Sequence, residues 1–176
     1  MLLDDKVIVI TGGAGLIGQE FAKAVMSQGG IAVIADIDEE RMQYTVKELA
    51  QTFPSGKIDV FKLNVTSKDS LQECIDYVDY KYKKIDVLIN NAYPRNKNYG
   101  RHFFDVEYDD FVENLGMNLG GCIIPSQLFS LYFQKQGYGN IVNISSIYGI
   151  IAPKFEIYDN TAMTSPVEYA AIKSGM

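Results

Sequence analysis

Residues 6–25 read KVIVITGGAGLIGQEFAKAV, and the fold class turns on them. Val7 to Ile10 is an aliphatic run without polar alternation, bounded by Lys6 and by glycines. Such a run suits a strand covered on both faces, as in a parallel sheet. The next residues, Thr11 to Gly18, supply Gly12, Gly15 and Gly18 between that strand and a helix. The spacing predicts a helix with Ile17, Phe21, Ala24 and Val25 on one face, ended by Gly29-Gly30. At a strand–helix junction, glycines permit a tight turn and let backbone N–H groups at the positive helix end approach a diphosphate.

The same alternation continues along the chain. Strands are expected at Ile31–Ala35, Ile58–Leu63, Ile85–Ile89 and Ile141–Ile144. Asp38 suits the cap of a helix that buries Met42, Val46 and Leu49. Thr66-Ser67-Lys68-Asp69 reads as a capping box before a stripe of Leu71, Ile75, Val78 and Tyr82. Helices are expected over Asp109–Leu115 and from Asn118 to about Gln136, the second kinked at Pro125. Strand and helix alternate without repeats, linkers or low-complexity tracts. The class is therefore α/β with a doubly wound parallel sheet, and 176 residues suffice for one such domain over 1–176.

Composition excludes several functions. The net charge is -6 and no Lys/Arg-rich run occurs, which argues against nucleic acid or an anionic membrane as partner. Neither a signal peptide nor a membrane span is recognisable, so a cytoplasmic protein is expected. Cys74 and Cys122 lie far apart and are expected as small core residues; nothing suggests a metal site.

Two further features carry chemistry. Asp36 closes the second strand eighteen residues past Gly18, where a carboxylate can bond both hydroxyls of an adenosine ribose. It would repel a ribose 2′-phosphate, and the next residue is Ile37, so NAD(H) is expected rather than NADP(H). Near the C-terminal end, TSPVEYAAIKSGM places Tyr169 and Lys173 four residues apart, one turn along a helix that Pro166 can start. An ammonium near a phenol favours the phenolate, so the pair could move a proton at a substrate hydroxyl or carbonyl.

Together these stretches resemble the short-chain dehydrogenases/reductases. TGGAGLIG resembles the family's T-G-x-x-x-G-x-G cofactor loop, and NNAY resembles its N-N-A-G element. MNLGG is similar to the segment bearing a catalytic asparagine, here Asn118, and IVNISSIYG to the strand whose second serine, Ser146, is catalytic. YAAIK supplies the tyrosine and lysine. The resemblance runs from Lys6 to Lys173 and implies an NAD-dependent oxidoreductase with a Rossmann fold. Tyr169 would be the acid/base and Ser146 would hold the substrate oxygen. Lys173 would support Tyr169 and bind the nicotinamide ribose, while Asn118 would hold a water. The cofactor would run along Gly12, Gly15, Leu16, Ile17 and Gly18, then Asp36, Asn64 and Val65. Asn91, Ala92, Tyr169 and Lys173 would meet its other half.

Departures from the family pattern are informative. Tyr93 replaces a glycine after Asn-Asn-Ala. Asn64 stands where an aspartate commonly accepts from the adenine amine, a role its amide oxygen can fill. Ser146 and Tyr169 are 23 residues apart, a longer separation than usual, and the added polar segment around Pro153 to Ser165 is expected beside the substrate mouth. With NNAYPRN and YDNTAMTSPVEYAAIK, the chain resembles reductases of bacterial surface-polysaccharide and flagellin-modification pathways. That resemblance implies a small-molecule substrate, a sugar or sugar derivative. The sequence stops three residues after Lys173, whereas family members continue and form homo-oligomers. The expectation is therefore a weakly active or inactive polypeptide from an enzymatic parent. A non-catalytic dinucleotide-binding module and a generic ketoacyl or secondary-alcohol reductase are the alternatives.

Overall fold

In a computed structural model describing residues 1–176, strands β1 (Val7–Thr11), β2 (Ile31–Asp36), β3 (Lys57–Lys62), β4 (Val87–Asn90) and β5 (Asn140–Asn143) form one sheet. Every pairing is parallel and the order is β3-β2-β1-β4-β5. Helices α1 (Leu16–Ser27), α2 (Glu39–Thr52), α3 (Lys68–Tyr82), α4 (Tyr108–Leu115), α5 (Gly121–Gln136) and α6 (Val167–Gly175) connect or flank the strands. This is the expected doubly wound architecture. Its strand order reverses between β1 and β4, which opens a crevice at their carboxyl ends.

Strand geometry divides the core in two, because successive side chains point to opposite faces. Ile8, Ile10, Ala32 and Ile34 pack with Ala22, Val25 and Met26 of α1 and Met42 and Leu49 of α2. Val7, Val9, Val33 and Leu88 face the other way, onto Leu71, Ile75 and Val78 of α3 and Phe129 and Phe133 of α5. Cys74 and Cys122 are both buried free thiols, and burial pushes the Cys74 thiol up to about 12. No helix is long and apolar enough to cross a membrane.

The structure corrects several local expectations. The buried stripe of α1 is Gly18, Ala22, Val25 and Met26, one position on from the predicted face; Ile17 is exposed. In α2, Thr45 rather than Val46 is fully buried, since its hydroxyl accepts a hydrogen bond from Gln19 Nε2 at 3.1 Å. Ser67, not Thr66, caps α3 by accepting from Ser70 N at 3.2 Å. Thr66 is unavailable because its N–H and hydroxyl both bond Asn64 Oδ1. The irregularity before Pro125 lies at Gly116–Gly120, which winds as a π-helix. There Asn118 Nδ2 donates to the carbonyl of Asn114 at 2.9 Å, so a side chain competes for that helical acceptor.

Asp86, just before β4, fastens the sheet at the end opposite the crevice. It accepts from Lys6 Nζ at 2.8 Å and from Val7 N at 2.9 Å. Burial pushes its carboxyl up, but the Lys6 bond, the Val7 N–H and the charges of Lys84 and Lys6 outweigh burial and hold it below its usual value. Asp86→Ala should cost ~1–3 kcal/mol in urea unfolding, mainly because the buried Val7 N–H loses its partner. A folded-state pKa below the unfolded one stabilises above pH ~4, and that increment is lost as pH falls through the folded value. The acid-side slope of stability should therefore be shallower in Asp86→Asn than in the parent.

Candidate active site

The glycine turn begins where β1 ends. Gly12 has φ +62°, and a Cβ there would sit 2.7 Å from Ala92 Cα. A Cβ on Gly18 would run into the carbonyl oxygen of Gly12. Gly15, the N-cap of α1, has ordinary φ/ψ, and its closest obstacle is Gly12 O at 3.2 Å. Gly12 and Gly18 are thus sterically required, while Gly15 is less constrained. The resemblance to T-G-x-x-x-G-x-G needs a matching adjustment. Leu16 stands in the middle glycine's place, and the turn in this chain is G-x-x-G-x-x-G.

Thr11, which sequence reasoning left without a role, locks this turn to the end of β4. Its Oγ1 accepts from the backbone N–H groups of Asn91 (3.0 Å) and Ala92 (3.1 Å) and donates to Ile89 O. Asn91 Nδ2 donates in return to the carbonyls of Thr11 and Gly12 at 3.0 and 3.1 Å. Asp36 Oδ2 accepts from Ala14 N at 3.1 Å and Oδ1 from Asp38 N at 3.2 Å, so the carboxylate borders the glycine turn.

These groups fit a dinucleotide. Gly12 and Gly18 let the backbone turn tightly at the start of α1, a carboxylate borders that turn, and Leu16 and Ile17 are exposed beside it (86% and 58%). Exposed apolar side chains at the first turn of α1 suit an adenosine or nicotinamide cover. Asn64 departs from expectation. Its Oδ1 already accepts twice from Thr66, so the oxygen expected to receive the adenine amine is committed to a local turn. Val65 is buried in the core, and a Cβ on Gly121 would lie 3.0 Å from its Cγ2, leaving chiefly its backbone for a ligand.

At the other end of the candidate site, Lys173 is buried and donates from Nζ to Ile144 O, just past β5. Burial pushes its ammonium below the usual value, against a smaller opposing effect of Cys122. The ammonium lies 5.7 Å from the ring centre of Tyr169 and 5.0 Å from that of Tyr93. Tyr169 is half-buried, with Tyr93 at 5.4 Å and Tyr148 at 6.5 Å between ring centres. Ser146 Oγ accepts from Tyr148 N at 3.3 Å, capping the short 3₁₀ turn Ile147–Gly149 that carries Tyr148 to Tyr169. Ser145 Oγ donates to the carbonyl of Lys173 at 2.9 Å. Asn118 is buried; its Nδ2 also donates to Pro94 O at 2.8 Å, and its Oδ1 has no partner. A buried amide oxygen without a donor is a place for a water.

The sequence departure at Tyr93 proves to be a structural member of the site. Its hydroxyl shares a 3.1 Å hydrogen bond with Tyr99. Burial, that bond and nearby charge, including Glu168, push the Tyr93 phenol well above its usual value. Glu168 is 1% exposed and its Oε2 has no partner. Nothing in its sequence context distinguished it from a helix-surface acid.

The sequence matches the short chain dehydrogenase family over residues 6–160. The chain belongs to that family. It is 42% identical over 99% of its length to post-translational flagellin modification protein A of Campylobacter coli, covering 68% of that protein. It is 36% identical over its whole length to a 3-oxoacyl-(acyl-carrier-protein) reductase of Thermotoga maritima, covering 65% of it. The chain thus spans about two thirds of the length of these curated relatives. Among solved structures, NAD+-bound xylitol dehydrogenase superposes with a TM-score of 0.84. The match covers 99% of this chain and 62% of that one at 24% identity, which bears on the fold alone.

Gly12→Ala and Gly18→Ala should each lower stability by ~1–3 kcal/mol, since each forces backbone strain or an overlap with main-chain atoms. Gly15→Ala should cost less than ~1 kcal/mol. Denaturant midpoints of the three variants would check this order.

Proposed function

We propose that the chain is the NAD(H)-binding and proton-transferring part of an oxidoreductase that interconverts an alcohol and a carbonyl. The observation that carries the reading is the Tyr169–Lys173 pair, with Lys173 desolvated and held beside the tyrosine ring. Bound NAD would accept or supply the hydride. Gly12, Gly18 and the first turn of α1 would receive its diphosphate, and Asp36 the adenosine ribose hydroxyls. Asp36 at the turn, followed by exposed Ile37, favours NAD(H) over NADP(H), because a carboxylate repels a 2′-phosphate.

Tyr169 would give or take the proton at the substrate oxygen. Ser146 would hydrogen-bond the same oxygen, its hydroxyl hydrogen being free while its Oγ accepts from Tyr148 N. Lys173 donates one hydrogen bond to Ile144 O and a weak contact to Met176 Sδ at 3.6 Å. A further N–H therefore remains for the nicotinamide ribose. The positive charge stands where a phenolate would form. Asn118 Oδ1 would hold a water that passes protons outward. The substrate proposed is a sugar or sugar derivative, supported by the polar segment Pro153 to Ser165 and by 42% identity to a flagellin modification protein.

Tyr169→Phe should leave NADH binding, followed by quenching of cofactor fluorescence, within about twofold, while any turnover falls ~10²–10⁴-fold. Unchanged turnover would refute the assignment. NADH should bind at least roughly tenfold more tightly than NADPH, and Asp36→Ser should narrow that ratio. Equal affinities in the parent would refute the role of Asp36.

A further inference from the structure

A cavity lies outside the proposed catalytic cluster, between the segment starting at His102 and the added segment before α6. Its volume is about 420 Å³. One wall is aromatic: Phe103 stands edge-on to Phe104 at 5.2 Å between ring centres and 6.2 Å from Phe155. Phe104 is 94% exposed and Phe103 52%, so carbon surface faces solvent with nothing in the chain to cover it. The other wall is polar, with Asp159, Asn160 and Thr161.

That polar wall has a set shape. Phe155–Tyr158 forms a 3₁₀ turn. Thr161 N and Oγ1 both donate to Tyr158 O, and Met163 N donates to Thr161 Oγ1. Its backbone is thus held by its own bonds, while the Asp159 carboxylate and the Asn160 amide make no hydrogen bond or ion pair within the chain.

We propose that this cavity is a subsite for the non-reacting pyranose ring of an extended, uncharged glycoside. The proposal rests on the oxidoreductase reading above and adds the substrate's remote half. A pyranose has a C–H face and a hydroxyl rim, matching one aromatic wall and one wall of carboxylate and amide acceptors. An acyl chain or sterol would offer Asp159 and Asn160 no ring of hydroxyl groups to bond. No lysine or arginine lines the cavity and one carboxylate does, which disfavours a phosphorylated or nucleotide-linked sugar.

Both walls lead to Tyr169. The segment from His102 follows the Tyr93–Tyr99 pair that abuts the tyrosine. Thr164, on the cavity rim, precedes Tyr169 by five residues, at most ~17 Å of chain. Contacts made by a remote ring can thus help position the reacting one.

The test uses saturation-transfer NMR on the whole chain, with and without NADH, against methyl hexopyranosides, glucose 1-phosphate and cholate. Phe104→Ala and Asp159→Ala are compared with the parent; both side chains are exposed, so the fold should persist. Methyl glycosides should show transfer in the parent, weakened roughly fivefold or more in each variant, with NADH quenching unchanged. Glycoside binding indifferent to both variants overturns the subsite, as does binding of the phosphate or the steroid alone. So does absence of glycoside binding in a chain that still quenches NADH. Loss of NADH binding in the parent would instead overturn the oxidoreductase reading.

Discussion

The backbone of Gly12 and that of Ala92 pass so closely that a single methyl group would separate them. That approach depends on Thr11, whose buried hydroxyl takes the N–H groups of both Asn91 and Ala92. The end of β4 is a place where backbone donors would otherwise be stranded, and unpaired buried N–H groups cost ~1–3 kcal/mol each. Satisfying them from β1 joins the glycine turn to the segment that continues into Tyr93. Because Tyr93 faces both Lys173 and Tyr169, the two ends of the site are coupled through one threonine and one asparagine side chain.

Most of the architecture was legible because buried parallel strands have a strong signature. Three of the five strands, β1, β2 and β4, carry unbroken apolar runs, and the two without one, β3 and β5, lie at the sheet edges. Periodicity was less reliable on helices. In α1 the residue that looked most like core, Ile17, is exposed, because glycine at position 18 is what lets the helix sit on the turn. Hydrophobicity alone cannot separate a side chain that packs on the sheet from one that borders a crevice. The capping box failed for a similar reason, since Thr66 was already held by Asn64.

The candidate site was legible in its motifs and opaque in its contacts. Tyr169 and Lys173 were found by helical spacing, and Asp36 by its place at the end of β2. Thr11 could have been found from the polar residue that ends an otherwise apolar strand. Glu168 could not, since only the fold brings its charge close enough to bear on the phenols of Tyr93 and Tyr99.

α6 has nine residues, too few to be stable as an isolated helix, so the placement of its tyrosine and lysine must come from packing. Glu168 and Ala170 are buried in its first turn, and three further contacts hold its end. Ile172 is fully buried, Ser145 donates to the carbonyl of Lys173, and Gly149 leaves room for that same carbonyl, where a Cβ would approach to 2.7 Å. All three hold the last turn of the helix rather than its first. Lys173 is therefore anchored through both its main chain and its side chain, which reaches Ile144 O. Tyr169, one turn earlier, is held mainly by the edges of neighbouring rings. A fixed cation beside a less constrained phenol suits proton transfer, because the charge must stay put while the oxygen follows the substrate.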